Sequence, residues 1–538
     1  MSRPNPFLFA VFLAAIVAIL GGAVLIGGRL LISNYEIDTL HFVQIVLRLD
    51  AGERIHHDFA TPIGVLAFAP IHFWTGLGLP VAQAFPLGQM LVAALLAVPV
   101  WRAGTSRMRG AMPWIFGLGT LSLVLAMVFG DTSAALSVSM HYNRWAWGIA
   151  FAALALAVLP DLGPRRPALD GVLIGLLMGV LAVLKLTYFV AFALPVLVAV
   201  VLVHGARTLG FAVIGGVAVG ALVTLGYGPS YWPAYLADLR MVAGSELRAA
   251  PGASLSTVLA GPAYLGGTLC ALLGAIFLRQ SGQKAGGLLI LILIPAFVYV
   301  TYQNFGNDPQ WQILLGVLLI TLRPENMHKG LFGIEARSAL TALGIAAFAL
   351  GFPSAVNTLK SPFRHFGGDL SDYIVFLPEH AAMRGVMVNA ERQALMNMSM
   401  PLEDRIPALK PYASDEREEI KSLEGVSFPR CTTTSGLVGM RRGMSAALAD
   451  LLPPGAGIFE TDTVNSIWLF GPYRRLKGGA VWYYGGLPGI EDASHVLVPM
   501  CPFVPRARAA AIDALTQGAV PLQLVGVNDF FALYAILR

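Results

Sequence analysis

Long apolar runs, each closed by glycine, proline or charge, recur along this 538-residue chain from Phe7 to Pro353 and dictate what it can fold into. The first, Phe7 to Ile32, is roughly 39 Å long as a helix and exceeds the short core of a cleavable signal peptide, so it is expected to stay as a membrane span. Further apolar segments lie near 82–101, 111–129, 145–160, 170–184, 188–203, 208–227, 257–278, 285–301, 311–322 and 337–353. They predict about eleven spans in all. The short ones, 170–184 and 311–322, must tilt, extend into their flanks or sit among other helices. Composition agrees: 56% of the residues are hydrophobic and 12% charged, about half the charged share of soluble domains. The expected fold class is an α-helical multi-pass membrane protein.

Loop charge sets the expected orientation. Arg102, Arg107 and Arg109, then Arg165 and Arg166, Arg207, Arg279 and Lys284, and finally Arg323, Lys329 and Arg337 all fall on the N-terminal side, which the positive-inside rule makes cytoplasmic. The loops 34–63, 130–144, 228–256 and 302–310 then face outward. The net charge of +5 therefore reads as a topology signal, and no nucleic-acid partner is expected. Residues 62–79 are apolar enough to span, yet counting them would invert every later loop. With Pro62, Pro70 and His72 they read as a re-entrant or interfacial segment.

After Pro353 the composition changes, and no later run is long enough to cross a bilayer. The chain divides into a transmembrane part, 1–353, and an extracytoplasmic α/β domain, 354–538. Ser466–Phe470, Ala480–Tyr484, His495–Met500 and Leu522–Val527 read as strands, with helical stretches near 378–396, 414–424, 440–452 and 505–516. Cys270 lies inside an apolar run, where packing explains it. Cys431 and Cys501 would share an oxidising compartment and are able to pair there.

The first outer loop is the chemically richest stretch. It holds Glu36, Asp38 and His41, then an amphipathic run to Leu49, then Asp50, Glu53, His56, His57 and Asp58 before Pro62. The same residues also suit a solvated connector, but acids just outside a span, followed by an apolar segment that does not cross, suggest a polar cavity at the membrane face. Adjacent histidines on a helix point about 100° apart, which argues against His56 and His57 sharing a metal.

Glu36-Ile37-Asp38, the amphipathic run, and Asp58-Phe59-Ala60-Thr61-Pro62-Ile63-Gly64 resemble the motifs of the GT-C superfamily of integral-membrane glycosyltransferases, including the protein O-mannosyltransferases and the aminoarabinose and arabinofuranosyl transferases. The mannosyltransferases carry an adjacent Asp-Glu where this chain has Glu-x-Asp. The resemblance implies a glycosyltransferase of the inner (plasma) membrane, with a polyprenyl-phosphate-linked sugar as donor and a glycan, lipid or protein acceptor entering from outside.

Such a reaction needs a carboxylate to take the acceptor's proton, which makes Asp38 the expected base. Glu36 is expected to share that role, orient the acceptor or help hold a divalent cation; no cofactor is otherwise implied. His41, about one helical turn beyond Asp38, is placed to face the same cavity. His57 and Asp58 belong to the second motif and are further candidates for binding. The phosphate leaving group calls for a cation. Lys185, interrupting an apolar segment, is the first candidate and also suits a lysine snorkelling from a helix end. Arg144 is the second, although its neighbours Trp145 and Trp147 read as an interfacial aromatic belt. Asn307 and Asp308, in the polar run Tyr302–Trp311, suit sugar hydroxyls and equally an ordinary turn.

No phosphate loop, H-E-x-x-H or zinc-spaced Cys/His cluster occurs, which disfavours ATP-driven transport and metalloprotease chemistry. A transporter or flippase of a lipid-linked saccharide is the alternative reading, against which stands the lack of an internal repeat.

Overall fold

The computed structural model describes residues 2–128, 132–247, 254–304, 309–325, 329–413 and 420–538. Each of the eleven apolar segments forms a helix. Among the described residues eight are long and apolar enough to cross a membrane: Pro6–Gly27, Val81–Arg107, Pro167–Leu184, Leu186–His204, Ala206–Tyr227, Pro262–Gln280, Lys284–Gln303 and Ala336–Phe366. Met112–Leu125 and Trp311–Thr321 are apolar but shorter, at about 21 Å and 17 Å. Their bonded backbones lie largely buried among the longer helices. The eleventh, His141–Val158, is buried along nearly its whole length, as expected of a helix apolar on all sides. Trp145 and Trp147 therefore do not form an interfacial belt. Both are fully buried, Trp145 donating to the Val124 carbonyl at 3.2 Å and Trp147 packing edge-on against Tyr188.

One local expectation changes. The first helix ends at Gly27, where Gly28 takes a left-handed cap with φ 62°, a conformation glycine adopts without strain. Leu30–Ile32 leaves the helix and pairs in parallel with Val386–Val388. Within 62–79 lie a 3₁₀ turn, Val65–Ala67, and one short helix, Ala69–Thr75. That helix is about 10 Å long and does not cross.

At one end of the bundle Arg102, Arg107, Asp161, Asp170 and His204 form a buried ionic cluster, with Arg102 Nε to Asp170 at 2.7 Å and Arg107 Nη1 to Asp161 at 3.3 Å. Mutual pairing is what makes such burial tolerable.

The last apolar helix passes Pro353 and ends only at Phe366. Beyond it lies a strand-containing region built on a four-stranded sheet in the order Leu522–Val527, Phe531–Ile536, His495–Pro499, Ile458–Glu460. The first two pairings are antiparallel and the last parallel. Helices Leu437–Ala449 and Pro505–Gln517 accompany it, and Cys431 and Cys501 are joined as a disulfide. Four expected elements differ. Ser466–Phe470 holds a 3₁₀ turn, Ile467–Leu469, in place of a strand, because the Glu460 carboxylate takes the Ser466 and Ile467 amides at 2.6 and 3.0 Å. Ala480–Tyr484 keeps only a two-residue strand, Gly479–Ala480. Residues 378–396 break into short pieces around the strand Val386–Asn389, with Gly385 at φ 85°. Of the helix expected at 414–424, residues 414–419 lie outside the described residues, and Ser422–Leu423 pairs with Val426–Ser427 instead.

This region grips the first loop directly. Phe59–Ala60 pairs in parallel with Gly479–Ala480, and the Gly478 amide donates to the Asp58 carbonyl at 2.7 Å. Trp468 Nε1 donates to Gln44 at 3.1 Å, while Arg48 and Arg475 both reach Glu53.

Candidate active site

The loop helix Glu36–Asp50 places its acids by simple geometry. Residues two apart on an α-helix diverge by about 200°, whereas residues three apart share a face. Asp38 and His41 accordingly line one cavity of about 600 Å³. Glu36 turns away and forms a two-pronged ion pair with Arg392, Nε to Oε1 at 2.5 Å and Nη2 to Oε2 at 3.1 Å. It does not line the cavity.

Lys185 also lines this cavity. It is extended, at φ −150° and ψ 95°, and separates Pro167–Leu184 from Leu186–Ala199. The predicted interruption is thus a true break between two helices. Its Nζ lies 5.0 Å from the centroid of the Tyr142 ring. Leu186 and Thr187, the first residues of the next helix, line the cavity too. Their amides have no carbonyl within their own helix to bond, so a helix N-terminus and an ammonium face the same space.

The break is held from the first loop. The Gly64 amide donates to the Leu184 carbonyl at 3.2 Å, and a Cβ at Gly64 would run into the Val183 carbonyl. Pro62 and Ile63 of the same motif line the cavity. Asp58 and His57 do not: Asp58 accepts from the Arg54 amide at 2.7 Å, and His57 Nε2 meets Ser230 Oγ at 3.0 Å. Both shape the loop. His56, weighed in the sequence only as a metal partner of His57, is buried at φ 67°, with Nδ1 2.7 Å from Asp238 and its ring against Tyr231 and Tyr235. Asp238 also accepts the Thr61 amide at 3.0 Å. That cluster fastens the helix Tyr231–Ala243, whose Leu236, Leu239 and Val242 form an apolar wall of the cavity.

Arg144 is buried behind the site and donates to the Ser139 carbonyl at 2.8 Å. The Ser139 side chain lies close enough to Asp38 to lower its carboxyl, although its hydroxyl has no hydrogen-bond partner of good geometry. Asn307 and Asp308 lie outside the described residues. Their neighbour Asn304 is buried at the cavity wall and donates to the Tyr188 hydroxyl at 3.0 Å. Arg240, Tyr299, Trp482 and Tyr484 also line the cavity. The last two come from the C-terminal region, and no motif in the first loop announced them.

The electrostatics follow from burial. Asp38 is half-buried in the cavity wall, and desolvation pushes its carboxyl up to about 6, the nearby Ser139 side chain opposing. Desolvation, reinforced by the Lys185 ammonium, pushes the His41 imidazole down to about 4, so it is neutral at physiological pH. Asp38 is the one carboxylate among the described lining residues. Among the described residues no group of three or more His, Cys, Asp or Glu could hold a metal ion, and a lone carboxylate is a poor donor set for a hard divalent cation.

No family model matches the chain, and no curated protein matches it. Among solved structures it is similar to ArnT from Cupriavidus metallidurans bound to undecaprenyl phosphate, at 11% identity over 98% of this chain and 97% of that chain. The TM-score is 0.33, too weak a likeness to carry an argument about the site.

Proposed function

We propose that the protein is a glycosyltransferase that moves a sugar from a polyprenyl-phosphate donor to a cell-envelope glycan, lipid or protein on the outer face of the plasma membrane. One observation carries the reading: a carboxylate raised to about 6, Asp38, and a cation at a helix break, Lys185, line the same cavity. The resemblance of the first loop to the GT-C motifs supports it.

The acceptor hydroxyl attacks the anomeric carbon and gives its proton to Asp38, while the carbon–oxygen bond to phosphate breaks and its electron pair stays on the phosphate. Lys185 and the first amides of Leu186–Ala199 stabilise the charge that gathers there. A base with a pKa near 6 is ionised at neutral pH yet still basic enough to accept the proton as it is released. The apolar wall of Leu236, Leu239 and Val242 suits the polyprenyl chain. Exposed Leu236 and Val190 at the rim are consistent with entry from the lipid side.

Glu36, paired with Arg392, acts in this reading as a brace between the loop helix and the C-terminal region. Arg144 positions Ser139 behind the base. No step requires a divalent cation. The helix Pro167–Leu184 begins beside Arg165 and Arg166 and ends at Lys185, which supports a site at the end of the bundle remote from the basic loops. The region that follows the helix Ala336–Phe366 is then extracytoplasmic and covers the site from outside.

In membranes supplied with a polyprenyl-phosphate sugar, Asp38→Asn should abolish formation of the glycosylated product. Undiminished product would overturn the mechanism.

A further inference from the structure

The segment that follows Gly479–Ala480 alternates in a way the membrane part does not require. Val481 and Tyr483 are buried in the C-terminal region, while Trp482 and Tyr484 line the cavity. The alternation is fixed by backbone bonds, since the Val481 amide donates to the Ala60 carbonyl at 3.4 Å and the Tyr483 amide to the Thr463 carbonyl at 2.7 Å. Two aromatic rings are thus carried from the C-terminal region into the cavity that holds Asp38. Trp482 meets the His41 ring edge-on, with centroids 5.5 Å apart.

His41 supplies the second observation. It is buried, at 7% exposure, it lines the cavity, and its Nε2 has no hydrogen-bond partner. A buried ring nitrogen left without a partner is costly unless a ligand completes it. His41 lies one helical turn from Asp38 on the same face, so a group bonded to it is held beside the base.

We propose that Trp482, Tyr484 and His41 form the acceptor subsite, and that the acceptor is a saccharide: its ring lies on the aromatic faces and one hydroxyl bonds His41 Nε2 beside Asp38. This rests on the glycosyltransferase reading above and names its acceptor class. The C–H face of a sugar ring is weakly positive and apolar and matches the negative face of an aromatic ring, while its hydroxyls need single, well-placed polar partners. An extended peptide bound by strand addition would need a strand edge to pair with, and none of the described lining residues belongs to a strand. His41 and Trp482 are therefore positioning residues for the acceptor, with Asp38 as the group that takes its proton.

The test uses the purified full-length protein and two probes. A polyprenyl monophosphate is scored by its shift of Tm, and a panel of methyl glycosides by saturation-transfer NMR. The wild type should respond to the lipid phosphate and show transfer to the ring protons of at least one glycoside. Trp482→Ala and Tyr484→Ala should each weaken that glycoside about tenfold, from the loss of one aromatic contact. Trp482→Phe should largely restore it, and all three variants should keep the lipid-phosphate Tm shift, which certifies their folding. The subsite is overturned, with the donor reading intact, by a wild type that responds to the lipid phosphate and to no glycoside. It is equally overturned by unchanged glycoside affinity in Trp482→Ala, or by transfer to a serine-containing peptide in place of any sugar. A wild type that binds neither probe removes the glycosyltransferase reading itself.

Discussion

The Gly64 amide donates to the Leu184 carbonyl at 3.2 Å, so the first loop is bonded to the helix end that immediately precedes Lys185. Gly64 itself has φ −69° and ψ 158°, a conformation any residue adopts, and its constraint is purely one of space. A methyl group there would meet the Val183 carbonyl, which is backbone and has no rotamer to escape through. Gly64→Ala should destabilise the protein by about 1–3 kcal/mol, the usual effect of overpacking. It should also displace Lys185 and lower kcat/KM for the donor. Thermal unfolding and donor kinetics on the same sample check both, and an unchanged Tm would show that the helix break yields without cost.

Asp38→Asn separates catalysis from stability. The Asp38 carboxyl is raised from its ordinary 3.8 to about 6, so the folded state prefers the protonated form. The group's contribution is fully favourable at low pH and is lost as pH rises through about 6. At pH 7 the desolvated carboxylate therefore opposes folding, by an amount on the order of 1–3 kcal/mol. Asparagine removes that charge and should raise Tm at pH 7 while transfer falls at least a thousandfold. In the wild type, kcat/KM should climb about tenfold per pH unit below the Asp38 pKa and level off above it. A profile flat from pH 5 to 8 would remove Asp38 as the base.

Lys185→Ala should weaken polyprenyl-phosphate binding about 10- to 100-fold, the scale of a lost charge-assisted contact. Lys185→Arg should recover part of it, because the helix N-terminus at Leu186 and Thr187 remains. Isothermal binding of a polyprenyl monophosphate to both variants is the measurement. Equal affinity in all three proteins would remove the phosphate-binding role of Lys185.

Much of this site was legible in the sequence, and the limits are instructive. The apolar runs gave the helices, and three-residue spacing placed Asp38 and His41 on one face. Lys185 stood out because a charge inside an apolar run demands a reason. Glu36 misled because motif spacing was read before its conformation was known: in an extended loop Glu36 and Asp38 would share a face, whereas on a helix they oppose. His57 and Asp58 were singled out for chemistry, while their neighbour His56 makes the buried pair with Asp238, a partner 182 residues away that no local pattern announces. Trp482 and Tyr484 reach the cavity only through the pairing of Phe59–Ala60 with Gly479–Ala480, a long-range register that alternation alone does not encode.

The proposed orientation is open to labelling. Thr105 lies near the C-terminal end of Val81–Arg107, on the side of Arg102 and Arg107, and Ser371 is exposed in the C-terminal region. The native cysteines do not interfere, since Cys270 is buried and the other two are bonded to each other. In intact cells a membrane-impermeant thiol reagent should label Ser371→Cys and spare Thr105→Cys. The reverse pattern would place the site on the cytoplasmic face, where nucleotide sugars are available, and would withdraw the reason for a lipid-linked donor.

The Cys431–Cys501 bond closes a loop of 70 residues in the region that covers the cavity. Loop-closure entropy assigns such a cross-link about 4 kcal/mol of stabilisation through the unfolded chain. Cys431 is buried and its neighbour Thr433 donates to the Cys501 carbonyl at 2.8 Å, so folded contacts also converge there. Reduction, or Cys431→Ser, should therefore lower the Tm of the C-terminal region and loosen the segment that delivers Trp482 and Tyr484 to the cavity. Acceptor KM should rise while the affinity for polyprenyl monophosphate changes little, because Lys185 and the Leu186 helix end are held from the membrane side. A fall in donor affinity as large as the rise in acceptor KM would show instead that the C-terminal region props the whole cavity, and that its aromatic residues have no separate part in choosing the acceptor.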